Sequence, residues 1–155
     1  MPFTVNRANS IDCYEIAALL RRSIIELCTA DHDGDPEKYE PWIANKTPDW
    51  VEQWIEGQGR VVAARDMQKV IGVAMASPDG EVLLNYVLPE ARFAGVSKAM
   101  MRALEEYVRD NGRSEIRLKT TATAERFYRA LGYVESSDKL TGQDMDGLWL
   151  KKALN

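Results

Sequence analysis

Apolar residues recur along the chain at two spacings, and the changes between them mark out its elements. Phe3 to Arg7 alternates apolar with polar positions and predicts a short strand. Asn9 or Ser10 offers an N-cap, and Asp12 suits the first turn of a helix. Cys13, Ala17, Leu20, Ile24, Leu27 and Cys28 then recur at three- and four-residue steps, an apolar stripe along that helix. From Asp31 to Pro48 the pattern breaks up. Gly34, Pro36, Pro41 and Pro48 punctuate it, so a loop or short helical turns are expected there. Thr47-Pro48-Asp49 opens a second helix through Ile55, with Pro48 as its first residue, and Gly57 and Gly59 stop it.

Beyond these glycines the pattern turns β-branched. Arg60 to Arg65 and Val70 to Ala76 predict two strands around a turn at Asp66 to Lys69. Pro78-Asp79-Gly80 is a hairpin turn, and Glu81 to Leu88 a third strand halted by Pro89. A helix is expected from about Gly95 to Asn111, with Val96, Met100, Leu104 and Tyr107 on its buried side and Gly112 ending it. Glu115 to Lys119 predicts a strand and Thr123 to Leu131 a helix ended by Gly132. Tyr133 to Glu135 and Leu148 to Lys152 close the chain as two more strands. This order predicts an α/β or α+β fold, with one mixed sheet and helices on both faces.

Composition narrows the function. At 155 residues there is room for one domain, spanning 1–155. The net charge of −4 and a pI near 5.1 argue against a nucleic-acid binder, whose affinity comes from basic contacts to phosphate. Apolar runs fall far short of the roughly 20 residues that span a bilayer, and the amino end lacks the pattern of a secretory signal. Membrane and secreted classes are therefore not expected. Cys13 and Cys28, if on one helix, are about 22 Å apart, too far for a disulfide. Reduced thiols in a cytoplasmic setting are the simple reading. His32 is the one histidine, so zinc sites and charge-relay triads have almost no raw material, and no metal is expected.

Candidate chemistry gathers in two places. In the first, a strand ends at Pro89 and a short loop of small residues, Ala94, Gly95 and Ser97, opens an amphipathic helix. A helix start exposes unpaired backbone N–H groups and the positive end of the macrodipole, and Arg92 and Lys98 add charge. These features suit a phosphate or diphosphate; an ordinary strand–helix joint with a basic surface shares them. Arg92-x-x-Gly95-x-Ser97, after Tyr86-Val87-x-Pro89, resembles the acyl-CoA signature of the GNAT superfamily of N-acyltransferases. The second place, Thr121 to Tyr133, is similar to that family's later motif, in the family's order and spacing. Ser97 and Thr121 depart from the usual small residue and asparagine.

The resemblance implies an N-acetyltransferase that moves an acetyl group from acetyl-CoA to a primary amine, on a small molecule or a peptide, by direct attack. The alternative within the same fold is a non-catalytic acyl-CoA-binding or regulatory domain. The family's sheet has six to seven strands, with a splayed pair that holds the cofactor. Tyr86, Val87 and Leu88 would then pair with the pantetheine arm. Arg92, Phe93, Ala94, Gly95, Val96, Ser97 and Lys98 would cradle the diphosphate, and Thr121, Ala124 and Phe127 would flank it. Tyr128 matches the family's tyrosine acid, although a packed core aromatic reads the same in sequence. The backbone N–H of Asn85 matches the oxyanion donor, although an edge asparagine facing water is the competing reading. Glu81 falls, on an ungapped count back from Arg92, where one branch of the family keeps a glutamate base. It also follows Asp79-Gly80 directly, where a solvated carboxylate is the plainer reading. Family members often pair through strands near the carboxyl end, which makes a homodimer one expectation.

Asp31, Asp33, Asp35, Glu37 and Glu40 crowd one short segment. In the family this region covers the acceptor end of the cleft, so an acidic rim steering a cationic amine is expected, with Asp31, His32, Asp33 and Trp42 as acceptor contacts. A solvated acidic loop pinned by tryptophans is the bland alternative. A thiol nucleophile at Cys28 conflicts with its place in the apolar stripe.

Overall fold

The computed structural model describes residues 2–136 and 148–155. Strand β1 (Thr4–Arg7) leads through a helical turn at Ser10–Asp12 into α1 (Cys13–Leu27), followed by α2 (Thr29–His32), α3 (Pro36–Ile43) and α4 (Pro48–Glu56). A meander follows: β2 (Arg60–Asp66), β3 (Lys69–Ala76) and β4 (Glu81–Val87). After a turn at Pro89–Ala91 come α5 (Val96–Asp110), β5 (Glu115–Thr120), α6 (Glu125–Ala130), β6 (Val134–Glu135) and β7 (Leu148–Ala153). All seven strands form one sheet in the order β1-β2-β3-β4-β5-β7-β6, antiparallel throughout except for β4 beside β5.

Every residue of β3 after Lys69 is buried, which requires cover on both faces of the sheet. Helix α5 supplies one cover through Val96, Met100, Met101, Leu104 and Val108. Gly72 sets how close it comes: a Cβ there would stand 2.9 Å from both the Met100 Cε and a Val96 methyl. Helix α1 covers β3 and β4 with Ile16, Leu19, Leu20 and Ile24, all buried. A buried carboxylate ties the far end together: Glu105 accepts from Tyr133 Oη at 2.8 Å and from Lys152 Nζ at 3.2 Å, joining α5, the approach to β6, and β7.

Of the two forms expected after α1, a loop or short helical turns, the structure takes the second, in α2 and α3. Proline read as punctuation is here a helix start: Pro36 is the first residue of α3, behind Asp35, whose side chain accepts from the Glu37 N–H. Pro41 lies within that helix. Among the described residues, no helix is long and apolar enough to cross a membrane, and no cluster of side chains could hold a metal ion.

Candidate active site

The two central strands part company. Strand β4 pairs with β5 only at Glu81 with Arg117 and Val82 with Leu118, and the two then diverge. A bulge in β4 helps to turn it: Met75 faces Leu84 and Ala76 faces Val82, which leaves Leu83 without a partner on β3. The Leu88 N–H donates to the Ile71 carbonyl, so by alternation Tyr86 and Leu84 turn their peptide groups to β3. Asn85 and Val87 turn theirs to the open edge. A cleft of about 270 Å³ opens beside the parted strands, walled by α1 (Ser23, Leu27) and Cys28 just after it, β4 (Asn85, Tyr86, Val87), the start of α5, and the Thr121–Tyr128 segment.

At one end of the cleft the backbone is shaped for an anion. Phe93 and Gly95 have φ of 65° and 82°, left-handed values that bring successive N–H groups round to one side. No side chain caps α5, and its first helical bond runs from the Ala99 N–H to the Gly95 carbonyl. The amides of Val96, Ser97 and Lys98 precede that bond and face outward. A Cβ on Gly95 would meet no atom within 4 Å, so the approach is open. The Arg92 guanidinium lies 4.6 Å from the centre of the Phe93 ring, beside the same amides.

At the other end stands Tyr128. It is buried, and its hydroxyl accepts from Asn85 Nδ2 at 3.1 Å. Burial pushes its ionisation up to about 12, against a smaller downward pull from the Asn85 bond, so the phenol holds its proton at neutral pH. Asn85 Oδ1 is buried and has no hydrogen-bond partner among the described residues. A cradle of bare amides and an open strand edge are what a long, amide-bearing phosphoanhydride ligand would satisfy.

Residues 30–151 match a family described as an acetyltransferase (GNAT) domain. The chain belongs to the GNAT acetyltransferase family. Solved structures share its fold at low identity. The paiA N-acetyltransferase of Thermoplasma acidophilum, solved in complex with coenzyme A, superposes with a TM-score of 0.82 at 17% identity, over 99% of each chain. A GCN5-related N-acetyltransferase from Rhodopseudomonas palustris gives 0.86 at 20% identity, covering 99% of this chain and 97% of that one. The yncA protein of Salmonella typhimurium, solved with acetyl-CoA, gives 0.69 at 17% identity over 100% and 95%. No curated protein sequence matches the chain.

Most of the residues expected at the cleft of this GNAT domain line it: Asn85, Tyr86 and Val87, then Arg92, Phe93, Gly95, Val96, Ser97 and Lys98, then Thr121, Ala124, Phe127 and Tyr128. Burial raises the Tyr86 phenol far above its ordinary range, with a hydrogen bond to Trp42 pulling the other way. Thr121, where the family usually has asparagine, accepts from the Ala124 N–H through its hydroxyl and so closes the turn ahead of α6. Leu88 and Ala94 do not line the cleft; Leu88 is buried, and Ala94 is half-buried against the core. Glu81 stands at the head of β4, ion-paired with Arg117 at 3.7 Å and about 13 Å along the strand from Asn85, outside the cleft lining.

The acidic segment is spent on structure. His32 is buried and uses both ring nitrogens: Nε2–H donates to the Ile24 carbonyl at 2.7 Å, and Nδ1 accepts from the Gly34 N–H at 3.0 Å. Trp42 packs edge-on against it. Asp33 pairs with Lys38. Asp31 reaches across to accept from the Ala122 N–H, the Thr123 N–H and the Thr123 hydroxyl, at 2.7, 3.2 and 2.6 Å. None of Asp31, His32, Asp33 and Trp42 is among the residues that line the cleft. Sequence reasoning missed one wall of the cleft, Ser23 and Leu27 of α1 with Cys28 just after it; Leu27 and Cys28 belong to the core-like stripe, and Ser23 carried no signal. Burial and nearby Asp31 push the Cys28 thiol up to about 12, which leaves it protonated and unreactive.

Asp31→Ala is therefore expected to loosen the loop ahead of α6 rather than to change charge steering. Loss of this cap should cost about 1–2 kcal/mol, a melting-point drop of roughly 2–6 °C, and speed amide exchange at Ala122 and Thr123. Unchanged exchange at those two amides would show that the bridge does not hold the loop.

Proposed function

We propose that the protein is an N-acetyltransferase that moves an acetyl group from acetyl-CoA to a primary amine, on a small molecule or a peptide, in a reducing compartment such as the cytoplasm. The observation that carries this reading is Tyr128: a phenol that keeps its proton, set against the open edge of a splayed strand pair. The open peptide groups of Asn85 and Val87 suit the amides of a pantetheine arm as an added strand. The amides of Val96, Ser97 and Lys98, with Arg92, suit a diphosphate. When bound, the cofactor supplies an activated acyl thioester.

The chain's own groups do the rest. The Asn85 N–H, on the open edge, is the donor for the oxygen that gains charge as the amine adds. Tyr128 gives its proton to the departing sulfur, and the proton shed by the nitrogen returns to the phenol through water. With Glu81 held by Arg117, the cleft lining offers no carboxylate base among the described residues, which suits removal of the amine's proton through water. The buried free thiols of Cys13 and Cys28 fit a reducing compartment.

Calorimetry with acetyl-CoA, run beside a thiol-release assay over a panel of primary amines, tests the proposal. Cofactor binding together with amine-dependent thiol release is expected. Binding without release for any amine would instead make this a sensor of acyl-CoA.

A further inference from the structure

Phe93 belongs to the anion seat through its backbone, but nothing about that backbone asks for a phenyl ring. Its φ of 65° is left-handed, a conformation that bulky residues rarely adopt and that glycine or asparagine takes at less cost. Either of those residues would turn the amides to one side just as well. Core packing does not call for the ring either, since the residue is 93% exposed. One exposed apolar side chain is ordinary by itself. This one stands at the lip of the cleft, which it helps to line, and the Arg92 guanidinium lies over its ring at 4.6 Å from the centre. An unfavourable backbone kept for a ring held out in water, at the mouth of a binding cleft, marks a group presented to a ligand.

The order of parts along the ligand says which of them arrives there. A pantetheine arm lies inside the cleft on the open edge of β4, and the diphosphate lies at the first amides of α5. In coenzyme A the diphosphate is followed by a ribose and then by adenine, so the base is the part left for the outer lip. Adenine is flat, with polar edges and a π-face that stacks on an aromatic ring. Arg92 covers one face of Phe93 with a planar cation, a pairing that suits guanidinium, and the high exposure of the ring leaves its other face to the solvent. We propose that Phe93 is a stacking platform for the adenine of the bound acyl-CoA, with Arg92 backing the ring. This assignment rests on the acyl-CoA reading of the cleft and adds to it the side chain that holds the nucleotide end.

Phe93→Ala removes the ring and Phe93→Tyr keeps it, and the exposure of the side chain means that neither change opens the core. In calorimetry with acetyl-CoA, the Kd should rise about tenfold in Phe93→Ala, within the range for loss of a base–aromatic stack, and stay within about twofold in Phe93→Tyr. Proton NMR reads the contact itself. The ring protons of adenine should move upfield on binding to the wild type and to Phe93→Tyr, through the ring current of the aromatic group, and should not do so on binding to Phe93→Ala. Melting curves show whether each variant is folded. Unchanged affinity in Phe93→Ala, or adenine protons that shift alike with all three proteins, would overturn the assignment. A wild-type protein that binds no acetyl-CoA would overturn the acyl-CoA reading itself; binding with no upfield shift of the adenine protons overturns only this one.

Discussion

Gly95→Glu is expected to abolish measurable acetyl-CoA binding while leaving the sheet folded. Gly95 has φ of 82°, so any ordinary side chain there is strained by about 1–2 kcal/mol. That strain is local, because a Cβ at this position meets no protein atom within 4 Å. The larger effect is electrostatic. A glutamate at the first turn of α5 puts its carboxylate at the positive end of the helix, where the unpaired amides would otherwise meet a diphosphate. Loss of that seat, plus repulsion between like charges, should weaken binding at least about a hundredfold, or roughly 2.7 kcal/mol. Gly95→Asn is the control: asparagine tolerates the left-handed conformation and brings no charge, so a loss of less than about tenfold is expected. Calorimetry with both variants separates strain from charge. Full affinity in Gly95→Glu would move the diphosphate elsewhere.

Tyr128→Phe is expected to lower kcat by about 10²–10⁴ with acetyl-CoA affinity intact, the range for loss of a positioned general acid. Phenylalanine keeps the packing against Phe127 and Tyr133 and removes only the hydroxyl that Asn85 meets. The pH profile carries the sign. The Tyr128 phenol titrates near 12, so its acid form is present throughout the neutral and mildly alkaline range and is lost only as pH rises through that value. The wild-type kcat should not fall on the alkaline side before then. Turnover equal to wild type in the phenylalanine variant would take Tyr128 out of the chemistry.

The elements that build the site were legible where local pattern decides conformation. The β-branched runs of β2 and β3, the halt at Pro89 and the glycine ahead of α5 are local signals, and the structure follows each of them. The bounds of α3, within a segment read as a loop or short helical turns, were hidden because proline both breaks helices and begins them, and only the Asp35 cap tells which. The partners of the acidic segment were illegible for a different reason. Composition reports charge but not partners: Asp31 finds its donors 91 and 92 residues away, and His32 turns inward. Glu81 was reached by counting, and counting cannot see that Arg117 of a neighbouring strand would hold it. Leu27 and Cys28 look like core in sequence because a cleft wall and a core share one composition.

The parting of β4 and β5 leaves a row of peptide groups in the middle of the molecule with no strand partner on β5, which a bound pantetheine arm would pair. The fold is thus finished by its cofactor. At a hundredfold excess over the dissociation constant, such a guest adds about 2.7 kcal/mol to the folded state. A cell depleted of acyl donor would therefore hold this protein in its most easily degraded form, and its lifetime would follow metabolic supply without any dedicated regulator.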